Sequence, residues 1–226
     1  MGHVTYPEDD WNLNKLLGEI PERFEENTSS PVPFFHLVER LKTTKREGWR
    51  RCGVQGESIS DHMYRMSIMT MLAPPSLTSK IDVARCTKIA LVHDMAESLV
   101  GDITPIDLNI TKAEKHAREA EVMDYIAKRL LGKVHGGLAG EDIRAAFQEY
   151  EESKTLESIF VHDIDKMELI LQAIEYERAN DGKVDLAEFY DVRERIVLPE
   201  VAEWADQVLK ERDDFWATRE RPAKKN

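Results

Sequence analysis

From Phe34 onward the apolar residues of this chain return at helical spacing, and no segment alternates convincingly at the period of two that a half-buried strand needs. Phe34, Leu37, Val38 and Leu41 share one helical face. Ser58 with Asp61 makes a capping box that opens a helix to about Leu72, where Pro74-Pro75 stops it. Residues 80–100 read as a central helix around Ile89-Ala90-Leu91-Val92, ended by Gly101. Thr111 with Glu114 is a second capping box, and its helix is expected to run to about Leu131. A glycine-rich loop, Gly132–Gly140, precedes a helix whose face carries Ile143, Ala146, Phe147 and Tyr150. Two long helices follow, Leu156 to about Asn180 and Val192 to about Thr218. The fold class expected is all-α. It comprises one domain over 32–218, a polar acidic leader over 1–31 and a frayed tail over 219–226.

At 226 residues the chain can bury a core without disulfides. Its 31 Lys+Arg against 43 Asp+Glu leave a net charge of −12, which argues against a surface for a nucleic-acid polymer or an anionic membrane. No apolar run approaches the roughly 18 residues of a membrane-spanning helix, and the first residues lack the apolar stretch of a signal peptide. Gly2 follows Met1, but Tyr6 stands where a myristoylation signal has Ser or Thr. Cys52 and Cys86 form no CxxC pair and read as reduced thiols, so the expected compartment is the cytoplasm, with the nucleus left open.

His93-Asp94 interrupts the most apolar helix of the chain. A carboxylate there must be paired, hydrogen-bonded or bound to a cation, because its isolated burial costs several kcal/mol. Glu97 shares the helix face of the pair, and Asp102 follows just past Gly101. The bland alternative is a buried His–Asp hydrogen bond that only packs helices. Asp61-His62 lies 31 residues earlier, and Asp165 sits on the unusually polar face of His162, Asp165, Glu168, Leu169 and Gln172. Nitrogen and oxygen ligands from three helices suit a first-row divalent ion with open positions. His162-Asp163 is a second such dipeptide, so the dipeptide alone does not say which pair binds. His3, His36, His116 and His135 carry no such context. Arg40, Lys42, Lys45, Arg46, Arg50 and Arg51 crowd one stretch around Gly48-Trp49, which suits a phosphate clamp beside an aromatic ring, or equally a solvated helix end.

The order His62, His93-Asp94, Asp165 resembles the H…HD…D signature of HD-domain metal-dependent phosphohydrolases. The blocks ESISDHMYRMS, ALVHDMAESLVGDITP and FVHDIDKMELILQA resemble the branch of small HD-domain proteins that act as 5′-deoxynucleotidases, from about Phe34 to Trp216. This resemblance implies a single all-α HD-domain bundle of mostly orthogonal helices around a metal site. By position it makes His62, His93, Asp94 and Asp165 metal ligands and Glu97 the catalytic carboxylate. Asp102 matches a carboxylate near the sugar, and Arg46 and Trp49 match an Arg and a Trp that contact phosphate and deoxyribose. The two are adjacent in some bacterial members, whereas Glu47-Gly48 separates them here. The resemblance also selects His93-Asp94 as the liganding pair and implies a homodimer.

The implied reaction turns a deoxyribonucleoside 5′-monophosphate and water into a deoxynucleoside and phosphate. The implied cofactor is a divalent ion, with Mn, Co, Fe, Zn and Mg all compatible with two His and two Asp. Glu97 stands three to four residues from two ligands and is expected to act as general base or to orient water. Rival readings are another HD phosphohydrolase chemistry (phosphodiesterase or dNTP triphosphohydrolase), a non-catalytic metal- or nucleotide-binding helical scaffold, and a purely structural His–Asp core.

Overall fold

The computed structural model describes residues 11–104 and 110–222. The first ten residues of the leader, with Gly2, His3 and Tyr6, and the last four of the tail lie outside them. Helices, in chain order, are α1 Leu13–Glu19, α2 Val32–Glu39, α3 Glu47–Arg50, α4 Ile59–Thr70, α5 Pro75–Thr78, α6 Val83–Val92, α7 Glu97–Val100, α8 Lys112–Tyr125, α9 Leu138–Glu152, α10 Leu156–Ala179 and α11 Pro199–Trp216. Among the described residues there is no strand, only an isolated antiparallel bridge between Lys45 and Ser58. The all-α expectation therefore holds. No helix among these residues is long and apolar enough to cross a membrane.

The predicted caps are present. Asp61 N–H donates to Ser58 Oγ (3.1 Å) and Ser58 N–H to Asp61 Oδ2 (3.0 Å) at the start of α4. Thr111 and Glu114 exchange the same pair of bonds at α8, at 2.7 and 3.2 Å. Each box satisfies amide donors that a helix start leaves without internal partners. Helix α8 continues directly into a five-residue π turn over Ile126–Leu130, so the helical path ends about where expected.

Two other expected helices are broken. The segment 80–100 is α6, then a turn, then α7. The turn is tied by short-range bonds, Met95 N–H to Val92 O (2.9 Å) and Glu97 N–H to Asp94 O (3.0 Å). His93 and Asp94 thus sit on the turn and not inside a helix. Gly101 ends α7 with φ of 77°, which favours glycine, and its N–H closes on Glu97 O. The last expected helix is likewise split, into a tight helix over Ala187–Arg195 and α11, which Pro199 opens.

The described residues fall into two compact units. The first lies within Met1–Gly48, Gly56–Asp61 and Val92–Gln148, and the second within Trp49–Gln55, His62–Leu91 and Glu149–Asn226. In the first unit, α7 packs against α2 and α8. Leu37, Val122, Met123, Ile126 and Leu130 are fully buried there. The part of the leader that is described joins this core. Leu13 and Leu16 of α1 are buried, and Glu26 accepts from Arg129 through both carboxylate oxygens (2.7 and 2.8 Å). In the second unit α10 packs against α11 and the tight helix before it. Phe160, Ile164, Ile170 and Ile174 supply the buried face of α10.

Candidate active site

The first unit carries a dense acidic cluster around the turn after α6. His93 is 4 % exposed and its Nε2 faces Asp94 Oδ2 across 3.2 Å. The same Asp94 oxygen accepts from Arg46 Nη1 at 3.2 Å, and Arg46 Nε approaches Glu57 Oε1 at 4.0 Å. A predicted phosphate-binding arginine and a predicted metal ligand therefore meet here. The backbone holds Arg46 in place, since its N–H donates to Glu57 O at 3.1 Å.

Glu97, the first residue of α7, is 1 % exposed. Its Oε1 lies 3.6 Å from Lys115 Nζ on α8, while Oε2 has no hydrogen-bond partner among the described residues. Burial, and then the charges of Asp94 and Asp102, push its carboxyl well above the ordinary glutamate range. Asp102 is raised as well, chiefly by burial, although its Oδ2 accepts from Glu47 N–H at 2.6 Å. Lys115 donates to Ile103 O at 2.9 Å. Burial works against its charge, but Glu97, Glu119, Asp94 and Asp102 outweigh this and hold the ammonium protonated.

The second unit carries the other two predicted ligands. His62 on α4 is fully buried. Its Nε2 faces Asp165 Oδ1 of α10 at 3.3 Å, and its Nδ1 lies 2.7 Å from Glu168 Oε2. Asp165 Oδ2 accepts from Tyr150 OH at 3.1 Å. His162, the decoy dipeptide's imidazole, stacks on the Tyr150 ring and bonds its carbonyl through Nε2 at 2.9 Å. Asp163 accepts from the N–H groups of Val197 and Leu198 ahead of α11, at 2.9 and 2.7 Å. That pair thus has its own structural partners.

Trp49 also belongs to this unit. It is 1 % exposed, with its ring 4.4 Å from Phe189 and 5.4 Å from Tyr176 between centroids. Its setting is an aromatic cluster.

The donor sets fit a divalent ion. In each unit an imidazole Nε2 faces a carboxylate oxygen across 3.2 to 3.3 Å. Neighbouring donors on one ion are about 3.0–3.4 Å apart when its bonds are about 2.1 Å. Sequence reasoning placed Glu168 on the polar face of α10 but gave it no role, and it passed over Arg65, while Tyr150 was read only as part of a helix's apolar face. The signal for the first two was spacing, because each stands three residues after a predicted ligand on the same helix.

An HD-domain family model matches residues 38–204. The 5′-deoxynucleotidase hdd1 of Schizosaccharomyces pombe is 49 % identical over 191 residues, covering 84 % of this chain and 93 % of the relative. The human 5′-deoxynucleotidase HDDC2 is 41 % identical over 189 residues, 81 % of this chain and 86 % of the relative. Among solved structures, the HD domain-containing protein YGK1 superposes with a TM-score of 0.65 at 32 % identity, covering 91 % of this chain and 94 % of that one.

Proposed function

The chain belongs to the HD-domain family, and on that premise we propose that it is a metal-dependent 5′-deoxynucleotidase, a phosphomonoesterase acting on deoxyribonucleoside 5′-monophosphates. One observation carries the reading: relatives from fungi to human, 49 % and 41 % identical over more than four-fifths of this chain, bear that name.

His62, His93, Asp94 and Asp165, which match the H…HD…D signature, are the residues that would hold the divalent ion in this proposal. The facing nitrogen and oxygen donors of His62 with Asp165 and of His93 with Asp94 support it. Bound there, the ion supplies Lewis-acid stabilisation of phosphoryl charge and lowers the pKa of water. Mn, Co, Fe, Zn and Mg all suit this donor set.

Glu97 is the catalytic carboxylate. A general base works best when its pKa approaches the operating pH, and burial beside Asp94 and Asp102 shifts Glu97 in that direction. Its Oε2 is the atom left to orient water and take its proton. Arg46 neutralises phosphate oxygens while it supports Asp94. Asp102, held by Glu47 N–H, faces the sugar. Trp49 contributes as a rigid wall, fixed by Phe189 and Tyr176, behind the deoxyribose.

We place the enzyme in the cytoplasm, in line with the free thiols of Cys52 and Cys86. We also assign it a homodimer. An exposed apolar patch supports this, formed by Tyr64 and Ile68 on α4 and by Met71 and Leu72 in the turn just after it.

The test strips the protein with chelator and measures phosphate release from dAMP and AMP as Co²⁺, Mn²⁺ or Mg²⁺ is restored singly. Metal-dependent release from dAMP well above AMP is expected. Equal release from both contradicts the sugar selectivity assigned to Asp102 and Trp49. No release with any metal contradicts the phosphomonoesterase.

A further inference from the structure

We propose that Glu168, clamped by Arg65, is a positioning residue that fixes the ring of His62 so that Nε2 is its ligand atom. This rests on the metal-site reading above and adds to it how one ligand is aimed.

The two helices carry matching pairs. On α4, His62 is followed three residues later by Arg65, and on α10 Asp165 is followed three residues later by Glu168. Residues at that spacing lie on one face of a helix, so each predicted ligand stands beside a supporting residue. Glu168 Oε2 lies 2.7 Å from His62 Nδ1. Its other oxygen, Oε1, accepts from Arg65 Nε at 2.8 Å and from Arg65 Nη2 at 2.6 Å. Arg65 is itself anchored, donating to Gln172 Oε1 and Glu175 Oε2 at 2.6 Å each.

The burial shows why this arrangement specifies one ring orientation. Glu168 is 1 % exposed and His62 is fully buried, so neither side chain can exchange its partner for water. A buried carboxylate requires donors. Arg65 satisfies one oxygen, and in this proposal a proton on Nδ1 of a neutral His62 satisfies the other at 2.7 Å. That proton leaves the lone pair on Nε2, the atom that faces Asp165 Oδ1 across 3.3 Å. A lone pair opposed to a carboxylate repels it unless a cation stands between them. The carboxylate–histidine pair thus orients the imidazole and raises its basicity as a ligand.

The test measures Co²⁺ affinity by competition with a chromophoric chelator, for the parent protein and for E168A, E168Q and E175Q. Thermal melting of each metal-free protein is recorded alongside. E168A is expected to bind Co²⁺ about 10–100-fold more weakly than the parent. E168Q keeps an acceptor for Nδ1–H and is expected to lie between them. E175Q touches Arg65 and not His62, and is expected to match the parent. A folded E168A that binds within twofold of the parent overturns the proposal, because a purely structural glutamate would lower the melting temperature and leave the affinity alone. Should E168A not fold, nitrogen-15 NMR of the Zn²⁺-loaded parent decides. A proton on Nδ1 of His62 supports the proposal, and a proton on Nε2 overturns it. A folded parent that takes up no Co²⁺ at all refutes the metal site, which is a separate failure.

Discussion

Glu97 in the first unit and Glu177 in the second are each no more than 1 % exposed, yet their surroundings are opposite. Glu177 is saturated with donors. Leu186 N–H, Tyr190 OH, Trp216 Nε1 and the Nε and Nη2 of Arg212 all reach it at 2.8 to 3.3 Å. Those donors come from α11 and from the segment that leads into it, so this carboxylate stitches the second unit together. Glu97 has one ammonium at 3.6 Å, two acidic neighbours and an oxygen with no partner among the described residues. A carboxylate buried for stability is surrounded by donors, whereas one buried for chemistry keeps an oxygen in reserve and a raised pKa. The difference separates an anchor from the residue proposed as the catalytic carboxylate, without reference to any ligand.

The comparison breaks most visibly at the proposed ligand beside Glu97. Asp94→Ala removes a proposed ligand and the acceptor of Arg46, and it should abolish both metal uptake and dAMP hydrolysis. Elemental analysis beside a phosphate assay checks this, and a variant that keeps both would remove the scheme. Glu177→Ala should act on stability alone. It leaves the buried Arg212 with only part of its pairing and should cost about 3–5 kcal/mol in denaturant unfolding. Its activity per folded molecule should stay near the parent's.

A smaller effect comes from pH. The Glu97 carboxyl is raised in the folded protein, so protonation favours the folded state and ionisation opposes it. In metal-free protein, Glu97→Gln should therefore melt above the parent at neutral pH, by about 2–4 °C for each kcal/mol gained. The gap should close as pH falls below the ordinary glutamate range, where both chains carry a neutral side chain. The opposite sign at Glu177→Gln, a loss at neutral pH, would sharpen the contrast. The smallest effect concerns Cys86, which burial pushes up to about 12. With no surface exposed, it should stay unreactive to thiol reagents in the native protein and react only on unfolding.

Much of the fold was legible in local pattern. The capping boxes at Ser58 and Thr111, the proline stop and Gly101 are short-range signals, and the helix spans follow from them. The turn between α6 and α7 was not legible, because the apolar run through Val92 continues the helical period up to the residues that leave it. The proposed H…HD…D ligands stand out in the sequence through their surrounding text. Their supports do not. Glu168 meets His62 across 106 residues of sequence and Arg65 across 103, and only the packing of α4 on α10 brings them together. Trp49 shows a second limit. An aromatic in a basic stretch reads the same from sequence whether it faces solvent or, as here, lies within an aromatic cluster.

The most direct test of the central claim is single-turnover hydrolysis of dAMP by metal-loaded Glu97→Gln. The account predicts metal content and dAMP affinity near the parent's, with phosphate release slowed by about 10²–10⁴-fold. Release at the parent's rate from a fully loaded variant would contradict it and return Glu97 to the same class as Glu177.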